Sequence, residues 1–268
     1  SDTGSTSTDN ITNDTTPQFT GTCETGTTVT LSSSVDGVLS QQTCSGNAFD
    51  ITVIGALSQN THNVTATQTD AAGNSSSASS ALSVTVDTTK PDVTINQAGT
   101  QADPTDTSPV VFTAVFDEPI DDTTFTNVDV SVGGTATTGT VTVTEIAPND
   151  DTTFSVSVVV SADGTVTPTI PAGGVEDVAG NTNNISTSTD NTVTFINHPT
   201  IEKAFAPDSI AAGDTSTLTF TLTNPNSLTT LNGLNFTDTF PAGVQIAGIP
   251  NVGGTCNSNN VLATHFTP

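Results

Sequence analysis

The chain has 268 residues, of which 32% are hydrophobic, and it carries 27 acidic residues against two basic ones, a net charge of −25. This charge repels nucleic acid and anionic membrane surfaces, so neither is an expected partner. The apolar fraction is below the roughly 45–50% of ordinary globular chains, and we therefore expect small cores supported by neighbouring modules, disulfides or ions.

Short stretches of alternating apolar and polar residues recur along the chain, the pattern of half-buried β-strands. Turn signals such as VDG, ADG and PAGG separate them, and no stretch keeps a helical period. Short strands at this spacing predict an all-β fold of tandem immunoglobulin-like β-sandwiches, the last one incomplete. The predicted strands are 27–33, 49–55, 61–69, 81–87, 109–116, 128–132, 139–146, 152–160, 192–196, 216–224 and 234–240.

An internal repeat divides the chain into modules. TDAAGN at 69–74 returns as EDVAGN at 176–181, and a polar run and a final strand follow each copy. We therefore expect one module over residues 1–90 and a second over 91–198, joined by TTKP, whose proline stiffens the joint. A third, partial module over 199–268 has room for about five strands, fewer than the seven or more of a complete sandwich.

Two of the three cysteines, Cys23 and Cys44, lie in the first module, each near a strand end. In an extracellular protein such a pair predicts a disulfide that stabilises the fold by roughly 3 kcal/mol, and the alternative is three buried free thiols. Cys256 is left over, and its partner could lie beyond residue 268.

The opening loop carries Asp2 and Asp9 with no basic residue near them in sequence. We expect the TDAAGN loop to share its pole, which would bring Asp70 and Asn74 close to Asp2 and Asp9. Converging carboxylates repel one another unless they are protonated or bind a cation. Ca²⁺ prefers six to eight oxygen ligands of this kind, whereas the sequence has no His/Cys cluster for zinc.

The same reasoning predicts a second Ca²⁺ site at the joint of the first two modules, bridging both. Alternatively, each DxAGN loop is a plain turn capped by its own aspartate. DEPIDD (117–122) is interpreted as a solvated acidic turn, although it could hold an ion. The ligands expected at this second site are Asp87, Asp103, Asp106, Asp177 and Asn181.

Several runs resemble known bacterial families. SDTGSTSTDNITNDTTPQFTGT, TDAAGNSS and VDTTKPDVTI, in residues 1–90, resemble the Ig-like repeats of large biofilm-associated and RTX-type adhesins. Residues 91–198 are similar to a related repeat, and PTIEKAFAPDSIAAGDTSTLTFTLTNPN resembles a domain of unknown function common in bacterial surface proteins. The resemblance implies that calcium at the joints turns tandem repeats into rigid rods.

These observations predict structural extender repeats of a bacterial extracellular adhesin or biofilm protein, located at the cell surface, with Ca²⁺ as the cofactor and no enzymatic activity. The expected partners are neighbouring domains of a longer chain, and other copies of the chain are possible partners. The sequence contains no Met, signal peptide or transmembrane run, so we expect a mature piece or a fragment. Alternatives are a self-assembling subunit of a filament, sheath or S-layer, which adds strands between neighbours, and a spacer attached to a secreted enzyme. Ligand-binding modules are disfavoured because Trp and Tyr are absent.

Overall fold

A computed structural model describes residues 2–227 and 229–246, and it confirms the all-β prediction. The chain divides into two compact units, residues 1–196 and 197–268. The first unit contains β1 (Ile11–Thr12), β2 (Gln18–Thr22), β3 (Thr28–Ser33), β4 (Gly37–Thr43), β5 (Ala48–Thr52), β6 (Asn60–Thr69), β7 (Leu82–Val86), β8 (Val93–Gln97), β9 (Val110–Phe116), β10 (Ser131–Gly134), β11 (Thr138–Glu145), β12 (Thr153–Val160), β13 (Gly164–Thr169) and β14 (Val193–Phe195). The second unit contains β15 (Thr200–Ala206) and β16 (Thr217–Thr223).

The first module of the first unit consists of two sheets. One has the strand order β1-β7-β6-β3-β4, and the other is the antiparallel pair β2-β5. Strand β3 alternates half-buried and buried residues, as expected of a strand with one face on the core. Strand β1 pairs parallel with β7, which places Thr12 beside Val86 at the end of the module's last strand.

The core of the first module is small. Four buried residues around Leu31 form one cluster, and three around Leu57 form another. The predicted disulfide between Cys23 and Cys44 is present, with a Cα–Cα distance of 6.0 Å, and Cys44 lies inside the first cluster. With so little apolar burial, the covalent link takes a large part in holding this module together.

The second module has a larger core between the sheets β11-β12-β9-β8 and β10-β13-β14. Its central strand β9 alternates strictly and buries Val110, Phe112 and Ala114 completely. Phe116, Phe125 and Phe154 pack edge to face, with ring centroids 5.2–5.9 Å apart. Edge-to-face contacts of this kind stabilise a core beyond the area that they bury.

In the second unit, β15 and β16 form an antiparallel pair over seven residue pairs. Lys203 donates from Nζ to both carboxylate oxygens of Asp238 at 2.7 Å, with three phenylalanine rings within about 6 Å. The predicted strand 234–240 is wrong, because its residues form no strand. Cys256 and the rest of the predicted third module beyond 246 lie outside the described residues.

Candidate metal centre

The opening loop lies at the joint of the first two modules and not at the free pole of the first. Strand β1 pairs with Thr85 and Val86, the last two residues of β7, and the Thr3 side chain of the opening loop lies against Thr12 at that end. The Thr3 hydroxyl donates to the carbonyl of Ala179 (2.7 Å) and accepts from the backbone N–H of Asn13 (2.8 Å). Thr3 therefore joins the opening loop directly to the repeated loop of the second module.

Glycines allow the two loops to approach each other closely. Gly4 has a φ of +89°, and a Cβ built there would lie 2.0 Å from the carbonyl oxygen of Val178. Gly180 has a φ of +90°, and its Cβ would lie 3.0 Å from the Gly4 nitrogen. Only glycine combines this backbone conformation with backbone-to-backbone contact.

The two repeated loops have the same internal geometry. In residues 177–181, Asp177 Oδ1 accepts from the backbone N–H groups of Ala179 and Asn181, both at 2.8 Å. In residues 70–74, Asp70 accepts from the corresponding two N–H groups, both at 2.9 Å. Both loops are thus Asx turns. The hydrogen bond that the Asn74 side chain donates to Asp70 (2.9 Å), followed by the one from the Asn74 backbone N–H, holds the pKa of Asp70 below its ordinary value.

Three carboxylates converge beside the loop 177–181. Asp87 comes from the end of the first module, while Glu118 and Asp177 come from the second. One oxygen of each lies within 4.8 Å of the others, and Asp177 is only 1% exposed. No ion pair joins any of the three to a basic side chain within residues 2–227 and 229–246. The cluster is therefore a partly buried concentration of negative charge across the joint.

Glu118 is the most strongly perturbed member of this cluster. Burial, reinforced by the carboxylates of Asp87 and Asp177 and then of Asp117 and Asp92, raises the pKa of Glu118 to about 7. Its Oε1 is buried and has no hydrogen-bond partner among the described residues. A buried acceptor without a donor is costly, and a bound cation or a proton would relieve that cost.

Asn181 holds the cluster in place as a hydrogen-bond donor. Its Nδ2 donates to Asp177 Oδ2 (2.8 Å) and to the backbone carbonyl of Asp87 (3.0 Å). The backbone N–H of Asp87 in turn donates to the carbonyl of Thr12 (2.9 Å). Asn181 therefore links Asp87, the residue that follows β7, to the loop 177–181 of the second module.

The other residues expected to bind metal lie elsewhere. Asp70 and Asn74 sit at the far end of β6 from the opening loop, because β6 pairs antiparallel with β7 from Asn60 opposite Val86. Asp2 and Asp9 accept backbone hydrogen bonds within the opening loop, from Asn10 and Ile11 respectively. The structure therefore does not bring the four predicted residues of the first site together.

Asp103 and Asp106 are also separate from the joint. They follow β8, whereas Asp87 precedes it, and the strand's five residues put about 16 Å between its ends. Asp103 Oδ1 accepts from the N–H of Thr194 in the last strand of the second module (2.9 Å). These two aspartates therefore lie at the opposite pole of the second module from Asp87 and Asp177.

Sequence reasoning missed Glu118, which lies in the acidic turn interpreted as solvated. The available signal was the pairing of β8 with β9, since Val93 lies opposite Phe116. A residue just after β9 must then sit beside the linker that precedes β8. Recognising that hairpin-like register from the sequence would have placed Glu118 at the joint.

A second acidic group, Asp122, Glu145 and Asp151, lies on the surface of the second module. Glu145 Oε1 accepts from the backbone N–H of Asp151 (2.9 Å), whose φ is +61°. Desolvation and then the neighbouring Glu145 carboxylate raise the pKa of Asp151. This group is more exposed than the joint cluster and lies within one module, so it cannot tie two modules together.

A serine–histidine pair occurs in the first module but has the environment of a structural pair. His62 is fully buried, its Nδ1 lies 2.8 Å from Ser33 Oγ, and its Nε2 lies 2.8 Å from the carbonyl oxygen of Ser58. Ser33 Oγ also accepts from the backbone N–H groups of Val35 and Asp36. With both ring nitrogens engaged and no exposure, the pair fits a structural role in the core.

The joint cluster has the chemistry of a site for a divalent metal ion. All three ligand atoms are carboxylate oxygens, and two oxygens bound to one Ca²⁺ at about 2.4 Å are at most about 4.8 Å apart. The orphaned Oε1 of Glu118 fits a cation in the same way. Asp87, Glu118 and Asp177 could therefore hold a divalent ion, with backbone carbonyls completing the coordination.

Comparison with protein families identifies two parts of the chain. Residues 1–88 match the family model of the bacterial Ig-like domain. Residues 199–265 match a domain of unknown function, DUF7933. The chain thus joins a bacterial Ig-like domain to that second domain, as the sequence resemblance predicted. No curated protein matches the chain.

The bacterial Ig-like domain and the disulfide are consistent with a surface or extracellular protein. Within the described part of the chain, no helix has the length and apolar character needed to cross a membrane.

Proposed function

We propose that this chain is a set of structural extender modules, residues 1–90, 91–198 and 199–268, of a bacterial extracellular adhesin or biofilm protein. Their role is to set length and stiffness and to hold another part of the parent protein away from the cell. The all-β Ig-like fold, a class that is typically not catalytic, supports this proposal. Neighbouring modules are the natural partners of such repeats.

Calcium at the first joint is the second part of the proposal. The observation that carries it is the convergence of Asp87 from one module with Glu118 and Asp177 from the next. When bound, the ion would neutralise the three carboxylates. Asn181 and Thr3 already fix the two loops against each other, so the ligands are held close to a binding arrangement before any ion arrives.

Thermal unfolding of the full chain with Ca²⁺ and with excess chelator tests this function. Ca²⁺ that binds only the folded form stabilises by about 2.7 kcal/mol at a hundredfold excess over Kd. We expect the midpoint of residues 1–196 to fall on chelation and to recover with Ca²⁺ but not with Mg²⁺, which demands a more rigid octahedral site. An unchanged midpoint would rule out calcium as the stiffening agent.

Stiffness is measured separately by small-angle X-ray scattering of the same samples. If the joint is stiff, as the extender role requires, the protein has one well-defined largest dimension with Ca²⁺ and a broad range of largest dimensions with chelator. A distribution that is equally broad in both conditions would contradict the extender role even if the ion binds. The variant Asp87→Ala, which removes the first module's only ligand in the cluster, should behave like the chelated protein in both measurements.

A further inference from the structure

The outward face of β8 and its two neighbours in the second module carries a groove. Strand β8 pairs antiparallel with β9, and residues 184–187 bond to its other side through backbone groups. The groove between these three segments has a volume of about 290 Å³. Successive side chains on a strand point to opposite faces, so Val93 and Phe116 enter the core while their neighbours face outward. The outward-facing residues of the groove are Asp92, Thr94, Val115, Asp117, Ile185 and Thr187.

Two carboxylates lie directly opposite each other in this groove. Asp92 and Asp117 continue the register that places Val93 opposite Phe116, and the N–H of Asp117 donates to the carbonyl of Asp92 (3.0 Å). Residues in such a cross-strand pair have Cβ atoms about 4.5–5.5 Å apart, and like charges placed there destabilise a sheet. A cation between the two carboxylates would replace this repulsion with attraction.

Each of the two carboxylates is anchored through one oxygen. Asp117 Oδ1 accepts from the backbone N–H of Asp92 (2.8 Å), and Asp92 Oδ1 accepts from Nδ2 of Asn184 (2.9 Å). Neither Oδ2 accepts a hydrogen bond from a residue that the structure describes, and both aspartates are exposed. The groove thus presents two fixed acceptor groups to solvent.

Neither basic residue of the chain neutralises this pair. Lys203 binds Asp238 in the second unit, and Lys90 forms no ion pair within residues 2–227 and 229–246. The sequence contains no arginine. A matching cation would therefore come from another molecule. A second copy of the chain is a poor source, because two molecules with a net charge of −25 repel each other.

Exposed aliphatic side chains adjoin the two carboxylates. Val115 is 41% exposed and lies two residues from Asp117 on the same face of β9. Ile185 is 60% exposed and follows Asn184, whose side chain holds Asp92. An apolar surface beside paired carboxylates suits a cation with an apolar stem better than a hydrated metal ion.

The guanidinium of arginine has the shape that this arrangement requires. It is planar and weakly hydrated, and its five donors form a fork that can reach two carboxylates, whereas an ammonium is a compact and strongly hydrated charge. The volume of about 290 Å³ lies just below the roughly 300–1,000 Å³ of small-molecule sites, which fits a single side chain.

We propose that this groove is a docking site for an arginine side chain of a basic partner protein. The guanidinium donates to the Oδ2 atoms of Asp92 and Asp117, and the alkyl stem lies on Val115 and Ile185. The site goes beyond the extender role, since it gives the second module a partner outside its own chain. It does not require calcium at the joint, because neither aspartate belongs to the joint cluster.

Methyl chemical shifts of the full chain, measured by NMR in the presence of chelator, test the proposal. The probe is a blocked glycine–arginine–glycine peptide, and we expect saturable shifts at the methyl groups of Val115 and Ile185. The same peptide with citrulline keeps the shape but has no charge, and it should bind at least about fivefold more weakly. Equal binding of the citrulline peptide, or of a lysine peptide, would overturn the proposal.

Variants of the chain locate the binding. Asp92→Asn and Asp117→Asn keep the Oδ1 acceptors and remove one charge each, so each should weaken arginine binding about fivefold. Asp50→Asn is the matched control, since it removes an exposed carboxylate of the first module and should have no effect. An equal loss in Asp50→Asn or in Glu118→Gln would show attraction to overall charge or to the joint cluster, and the groove would not be the site.

The outcome is independent of the calcium proposal. Because the titration is carried out in chelator, a joint that binds no calcium leaves the expected arginine binding unchanged. Absence of saturable shifts in the groove would overturn the docking site and leave the thermal unfolding experiment with calcium unaffected.

Discussion

Replacing Glu118 with glutamine isolates the charge at the joint while keeping the side chain's size. Without calcium, the wild-type carboxyl has its pKa raised from an ordinary value of 4.5 to about 7 in the folded state. The folded state therefore holds a proton that the unfolded state has lost, and stability falls as pH rises from about 4 to about 7 before levelling off. Glu118→Gln removes this loss.

The expected change in the free energy of unfolding follows from the pKa shift of Glu118 and from the exposure of the site. Each pKa unit corresponds to about 1.4 kcal/mol, but the partly solvated cluster is screened, so we expect a gain of about 1 kcal/mol above pH 7 in chelator. In calcium the sign reverses, because the ion loses a ligand. If affinity falls about a hundredfold, the calcium stabilisation drops from about 2.7 to about 0.4 kcal/mol at the same ion concentration.

Differential scanning calorimetry at several pH values, with calcium and with chelator, measures both the expected gain in stability in chelator and the expected loss in calcium. Glu24→Gln is the matched control, since it removes one exposed carboxylate of the first module outside the joint cluster. The reasoning is refuted if the Glu118 variant gains nothing in chelator at pH 8, or if it keeps the full response to calcium. A control that behaves like the Glu118 variant would show that overall charge matters and not the site.

Three further predictions concern the joint and the first module. Gly180→Ala should destabilise by about 1 kcal/mol more than Gly73→Ala in denaturant unfolding, because both residues have φ of +90° but only Gly180 packs against the opening loop; equal costs would mean that the loop contact contributes nothing. Reducing the Cys23–Cys44 disulfide should lower the stability of the first module by about 3 kcal/mol and leave residues 89–196, which contain no cysteine, unchanged in hydrogen exchange; equal changes in both modules would contradict this. His62→Ala should cost about 2–4 kcal/mol, because it opens a cavity and leaves two buried hydrogen-bonding groups unpaired; a cost under about 0.5 kcal/mol, on the scale of a surface substitution, would place the side chain outside the core.

Local patterns determined which segments became strands. The alternation in TTVTLSS and TTFSVSVVV reappears as the alternating burial of β3 and β12, because side chains on a strand point to opposite faces with a period of two. Weakly alternating strands escaped this pattern. Strand β2 offers only Phe19 to a core, and β4 has a single buried residue, Ser40. They form strands because they pair with strands whose apolar–polar alternation is clearer, and not because of their own sequence.

The disulfide and the repeat were also readable from the sequence. Two cysteines in one module with a third far away leave one plausible local pair, and the DxAGN turn defines its own geometry through the aspartate side chain. Local chemistry of this kind needs no knowledge of distant residues.

The sequence predicted Asp87, Asp177 and Asn181 at the joint, whereas the other groups present there depended on tertiary structure. The opening loop lies at the joint because β1 pairs with the last two residues of β7 and Thr3 contacts Ala179, and neither the spacing nor the residue types of so short a strand reveal its pairing partner. Glu118 reaches Asp87 and Asp177 because β9 returns beside β8, whereas Asp103 and Asp106 are carried to the opposite pole by the same hairpin. The sequence by itself determined that this protein is an acidic chain of β-modules with aspartates in its turns. Strand pairing decided which carboxylates meet, because a carboxylate cluster is a property of distance, and only the sheet register sets distances between residues far apart in the chain.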